Sequence, residues 1–156
     1  MAFIEKSIEV EQPVRIVYDQ WTQFEQFPRF MEGVEEVRQL DDKRLLWRAN
    51  IAGKTEQWEA EIVEQRPDER IRWTSTRGAM TAGLVTFAKV SNGKTRVTLR
   101  MDYDPQGFVE KAGDMLGFVT RRVEGDLQRF KEFIEERGRA TGEWRGTIDP
   151  HTPSHM

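Results

Sequence analysis

The apolar residues of this chain change period once, and that change constrains the fold more than any other feature. From Val34 to Tyr103 they tend to recur at every second position; from Phe108 to Ile134 they recur at about every third or fourth. The first pattern belongs to strands with one buried face, the second to an amphipathic helix. Leu45, Trp47, Ala49 and Ile51 share a face, as do Trp58, Ala60 and Ile62, then Ile71 and Trp73, then Val97, Leu99, Met101 and Tyr103. Turn chemistry separates these runs at Asp41-Asp42-Lys43, Ala52-Gly53-Lys54, Pro67-Asp68-Glu69 and Asn92-Gly93, the last a strong hairpin signal. On the helix, Phe108, Ala112, Met115, Val119, Val123, Leu127, Phe130 and Ile134 form one stripe that ends near Gly138. So long a stripe has to be covered along its whole length. A strongly curved antiparallel sheet, built from strands with short connections, is the cover the preceding segment can supply.

Upstream, Phe3 to Val10 reads as a strand, with Ile4, Ile8 and Val10 on one face and Lys6 interrupting it. Pro13 opens a short helix carrying Val14, Val17, Tyr18 and Trp21, a position where proline costs no hydrogen bond. Phe24, Phe27 and Phe30 follow, broken by Pro28, as a second short helix and loop packing over one end of a sheet. The expected order is strand, two short helices, six strands and a long helix, an α+β fold. The chain of 156 residues has room for one core. Residues 1–139 are read as that domain and 140–156 as a flexible, Gly/Pro/polar-rich C-terminal tail.

Composition removes several functions. A formal net charge of −3 argues against nucleic acid as partner, because such binders need a basic face to neutralise phosphates. The absence of cysteine excludes disulfides, thiolate metal sites and cysteine nucleophiles. Both histidines, His151 and His155, lie in the tail, where no scaffold makes them an acid/base pair or a metal site. No Gly-rich loop sits at a strand-to-helix junction, so nucleotide binding is not supported, and no cofactor is expected. No apolar run reaches the roughly 18 residues of a membrane span, and the first residues lack the pattern of a signal peptide. The expectation is a cytoplasmic protein with no transmembrane segment, for which transient membrane contact and the oligomeric state stay open.

Several stretches carry a family likeness. They are Val14 to Tyr18 before Trp21, Phe27-Pro28-Arg29-Phe30-Met31, Trp58-Glu59-Ala60-Glu61-Ile62 and Pro67-Asp68-Glu69-Arg70-Ile71-Arg72-Trp73. Gly83-Leu84-Val85-Thr86-Phe87 and Asp126-Leu127-Gln128-Arg129-Phe130-Lys131 complete the set. Together with the element order they resemble the START-like, or SRPBCC, helix-grip superfamily, which includes polyketide cyclase/dehydrases and coenzyme-Q-binding proteins. The likeness covers about residues 3 to 138. It implies a pocket between the concave face of the sheet and the C-terminal helix, suited to lipids, isoprenoid quinones or polyketide-like compounds.

The faces read above bring Trp47, Trp58, Trp73, Phe87, Met101 and Tyr103 toward the helix, with Met115 and Val119 opposite and Ser75 continuing the Trp73 face. These nine residues are the candidate ligand-binding set. The same aromatics are large enough to fill the space as core. Phe24, Phe27, Phe30 and Met31 serve either as a lid or as a seal, and the loop Arg77 to Ala82 lies where a gate would be. No catalytic residue is assigned. The first functional reading is binding or carriage of a hydrophobic small molecule. The alternative is a polyketide cyclase/dehydrase in which Tyr103 or Ser75 acts on a poly-keto substrate. The resemblance implies a pocket arginine for aromatase/cyclases, whereas Arg48, Arg72, Arg96 and Arg100 alternate outward here.

Overall fold

The computed structural model describes residues 2–51, 53–77, 80–103 and 115–149. Strand β1, Ala2–Val10, is followed by helix α1, Val14–Trp21, and a 3-10 helix, Phe24–Arg29. Six strands come next: β2 Val34–Gln39, β3 Arg44–Ile51, β4 Lys54–Arg66, β5 Arg70–Arg77, β6 Met80–Ser91 and β7 Lys94–Tyr103. Helix α2, Met115–Arg137, closes the order that the change of period demands. The expected helical residues Phe108 to Asp114 lie outside the described residues. The gate expected over 77–82 shrinks, because β5 runs through Arg77 and β6 begins at Met80. Gly78 and Ala79 between them are not among the described residues.

All seven strands form one curled antiparallel sheet in the order β1-β7-β6-β5-β4-β3-β2. Consecutive strands from β2 to β7 are neighbours, as short turns require, and β1 returns to pair with β7. Alternation puts Leu45, Trp47, Ala49, Trp58, Ala60, Ile62, Ile71, Val85, Phe87, Val97 and Leu99 in the core, all less than one-tenth exposed. From α2, Val123, Leu127, Phe130 and Ile134 face the same core, the helical half of the stripe. Gly138, at φ +74°, donates its N–H to the Ile134 carbonyl at 2.9 Å and ends the helix in the left-handed conformation glycine adopts without strain. Lys6, which breaks the apolar face of β1, reaches Glu124 on α2 at 3.1 Å.

The segment following α2, read from sequence as a tail from residue 140, lies against the body through residue 149. Ile148 is 4% exposed and exchanges two backbone hydrogen bonds with Gln65 of β4, at 2.8 and 2.9 Å. Thr141 and Gln20 are joined twice: the Thr141 backbone N–H donates to the Gln20 side-chain Oε1 and the Gln20 side-chain Nε2 donates to the Thr141 hydroxyl. Arg145 pairs with Asp19 of α1 and, at 2.8 Å, with Asp68 of the β4–β5 turn. Polar composition suggests a free tail when the partner groups, Gln20, Asp19 and Asp68, are invisible from local sequence.

Candidate functional site

The concave face is divided along its strands. At one end α1 and the 3-10 helix drive aromatic side chains into the sheet. Trp21 meets Phe27 at 5.2 Å and Phe130 at 5.3 Å between ring centroids, and Phe30 meets Phe130 at 5.2 Å. Phe87 packs on Tyr18 at 5.3 Å, and Trp47 stacks on Trp58 at 5.7 Å while tilting against Phe27 at 5.6 Å. These edge-to-face and offset contacts are the arrangements that ring quadrupoles favour. Phe24, Phe27, Phe30 and Met31 are all buried here, so of the two roles read for them this packing matches the seal. Three members of the candidate ligand set, Trp47, Trp58 and Phe87, are 7–8% exposed and part of this packed cluster.

Toward the other end the packing loosens. Register aligns Ile62 of β4, Trp73 of β5, Gly83 of β6, Met101 of β7 and Ile4 of β1 in one row across the sheet. Ser75, two residues beyond Trp73, pairs with Ala60. Trp73, Ser75 and Met101 remain partly exposed, although Ile71, Val85 and Leu99 one step along the same face are buried. Among the described residues neither the Trp73 indole nor the Ser75 hydroxyl makes a hydrogen bond. The side chains of Tyr103, Met115 and Val119 lie outside the described residues. The structure thus brings three of the nine candidates together at the partly exposed end of the face and places three in the core.

Gly83 belongs to the same row and enters the sequence reading only within the family-likeness stretch Gly83 to Phe87. Its signal was present: a glycine inside a strand pattern marks a place where another group approaches the backbone closely. Here that group is the Trp73 indole.

The four arginines Arg48, Arg72, Arg96 and Arg100 are kept off the concave face. Arg48 pairs with Glu35 and Glu36 at 3.0 and 2.9 Å, Arg72 with Glu64 at 3.5 Å, Arg96 with Glu9 at 2.7 Å and Arg100 with Asp102 at 3.0 Å. Each of these guanidiniums is two-fifths to one-half exposed on the convex side, as alternation predicts. Arg100 also lies over the ring of Phe3, 3.9 Å from its centroid, so the exposed Phe3 is partly covered.

A polar clamp outside the sheet fixes α2 over the core. Asp126 accepts the Glu32 N–H at 3.0 Å and pairs with Arg129. Arg129 donates to the Phe30 carbonyl at 3.0 Å, and Arg122 donates to the Glu32 carbonyl at 2.8 Å and the Asn50 carbonyl at 3.3 Å. Burial pushes the Asp126 carboxyl up to about 6, against the lowering effects of Arg129, the Glu32 N–H and Arg122. Gly33 sits at φ +88°, where glycine is favoured, and a Cβ there would lie 1.8 Å from an Arg122 guanidinium nitrogen, so it would also shift the tip of Arg122. By sequence alone Arg121, Arg122, Arg129 and Lys131 interleave with Glu124, Asp126 and Glu132 and read as a solvated helix face. The spacing of Arg122, Asp126 and Arg129 puts them on one side of the helix, but their partners are backbone groups that no side-chain pattern reveals.

A curled seven-stranded antiparallel sheet gripping a C-terminal helix defines the START-like helix-grip class. The chain belongs to the polyketide cyclase/dehydrase and lipid transport family, whose model matches residues 10–132. An uncharacterized 17.2 kDa protein of Streptomyces lincolnensis is 51% identical over 149 residues, spanning 95% of this chain and 99% of that protein. Among solved structures, a START superfamily protein from Mycobacterium smegmatis superposes with a TM-score of 0.76 at 12% identity, covering 86% of this chain and 98% of that one. The Zhui aromatase/cyclase from Streptomyces sp. R1128 gives 0.74 at 19% identity, covering 92% and 99%. Identities this low establish a common fold and leave the ligand to be argued from the site. Among the described residues no helix is long and apolar enough to cross a membrane.

Proposed function

We propose that this chain binds and carries an apolar small molecule, of the lipid, isoprenoid quinone or polyketide-like kind, between the concave sheet face and α2. The observation that carries the reading is the division of that face. One end is closed by interlocked aromatics, while Trp73, Ser75 and Met101 at the other end stay partly exposed in an apolar row. Apolar side chains held there by a rigid sheet give up contact with water when a ligand covers them, worth about 25 cal/mol per Å² of apolar area. The indole offers a flat face and the Ser75 hydroxyl a polar group to orient a carbonyl or hydroxyl. Affinity in this scheme needs no charged partner, in keeping with the four sheet arginines lying on the convex side in pairs with carboxylates. The family's description, which joins lipid transport to cyclase/dehydrase chemistry, supports an apolar cargo.

Native mass spectrometry of protein freshly purified from its source cells tests this, followed by organic extraction and titration with palmitate and ubiquinone. The expected result is an extractable apolar adduct and saturable binding of at least one probe, weakened in Trp73→Ala. A protein that carries no extractable molecule and saturates with neither probe would refute the reading.

A further inference from the structure

Trp73 and Gly83 are direct cross-strand partners on β5 and β6. A Cβ built at Gly83 would stand 2.2 Å from Cζ2, 2.4 Å from Cε2 and 2.9 Å from Cη2 of the Trp73 indole. The ring therefore lies across the glycine's backbone, in the space any other side chain would occupy. The glycine is buried, while the tryptophan covering it stays partly exposed on the concave face. On the other side of Gly83, Met101 continues the row. A sheet glycine roofed by an aromatic neighbour regains the burial its missing side chain forfeits, so the pair is mutually supporting.

We infer that Gly83 is a specificity-determining residue: its missing side chain lets the Trp73 indole recline against the sheet and so sets the depth of the ligand space. The inference rests on the binding function proposed above. With any Cβ at position 83 the indole has to rise off the sheet into the concave space. An indole is rigid and cannot yield at its tip as a lysine would, so displacement moves the whole ring into the volume a ligand uses. Gly83 touches no ligand in this scheme; it acts through Trp73 as a positioning residue. The consequence is selective, because small or thin ligands still fit over a raised indole and thick ones do not.

The test uses the full chain with N-phenyl-1-naphthylamine as the apolar probe, in Gly83→Ala, Trp73→Ala and the double variant. Gly83→Ala is expected to weaken probe binding about tenfold or more, the scale of a misplaced apolar contact. In the Trp73→Ala background the same substitution should change affinity little, because no ring remains to be displaced. Thermal unfolding of the four proteins supplies an independent cycle: Gly83→Ala should lower the midpoint strongly with Trp73 present and little without it. Equal loss of affinity from Gly83→Ala in both backgrounds overturns the inference. If the unsubstituted protein binds no probe while the unfolding cycle is strongly coupled, the binding function fails and the packing relation stands. An additive unfolding cycle with probe binding intact overturns the Gly83–Trp73 relation and leaves the binding function in place.

Discussion

Trp47 and Trp58 face each other across β3 and β4 with ring centroids 5.7 Å apart and planes within 8° of parallel, and both are more than nine-tenths buried. The stack is a structural joint between adjacent strands, with Phe27 against one side. Trp58→Ala should destabilise the protein by about 3–5 kcal/mol, the usual cost of deleting a buried ring. Urea unfolding of the two single variants and the double variant measures the coupling. It is expected to show about 0.5–1.5 kcal/mol of pair energy beyond additivity. Strict additivity would mean that the stacked geometry contributes nothing of its own.

Asp126 gives the protein a pH signature. Its carboxyl titrates at about 6 in the folded protein against an ordinary value of 3.8, because burial outweighs Arg129, the Glu32 N–H and Arg122. A carboxyl whose folded pKa is raised favours the folded state fully below its unfolded value, and that contribution is lost as pH rises through the folded one. The window here runs from 3.8 to about 6. Wild-type stability relative to Asp126→Asn should therefore fall across that window by up to about 3 kcal/mol and level off above it. Denaturant titrations at about pH 4 and about pH 7.5 suffice to check this. A difference that stays constant with pH would show that Asp126 keeps an ordinary pKa.

Arg145 holds the C-terminal segment between Asp19 and Asp68, and its guanidinium also lies 5.5 Å from the Tyr18 ring centroid. Asp19 has a side chain only 8% exposed, and burial raises its pKa even with Arg145 in contact. Removing the cation leaves this carboxylate buried without its main partner, so Arg145→Ala should cost on the order of 2–3 kcal/mol. In an Asp19→Asn background the loss should be clearly smaller. Thermal and denaturant unfolding read both, with limited proteolysis reporting release of residues 140–149. Equal losses in the two backgrounds would place the role of Arg145 elsewhere, at Asp68 or Tyr18.

Much of the site was legible one residue at a time and illegible in its grouping. Alternation along β3 to β7 placed Trp47, Trp58, Trp73, Phe87 and Met101 on one face, and the structure keeps them there. It did not say which of them pack shut. That depends on α1 and the 3-10 helix, whose Tyr18, Trp21 and Phe27 cover Trp47 and Phe87, while Trp73 and Met101 stay partly exposed. The outward direction of Arg48, Arg72, Arg96 and Arg100 was read correctly, because it follows from strand period alone. Gly83 escaped notice as a site residue, since its meaning lies on another strand.

The α+β order, the strand faces, the Asn92-Gly93 hairpin and the helix end at Gly138 can be read from residues close together in the chain. These follow from local periodicity and from backbone preferences that neighbouring residues impose. Only the tertiary structure decided that Trp73 reclines on Gly83, that Asp126 and Arg129 grip the loop at Phe30 and Glu32, and that Ile148 and Arg145 dock the end of the chain. Each of those joins groups distant in the chain, and two of the three use backbone N–H and carbonyl groups, which every residue carries alike. Side-chain order encodes which face a residue takes; the curl of the sheet determines what it meets there.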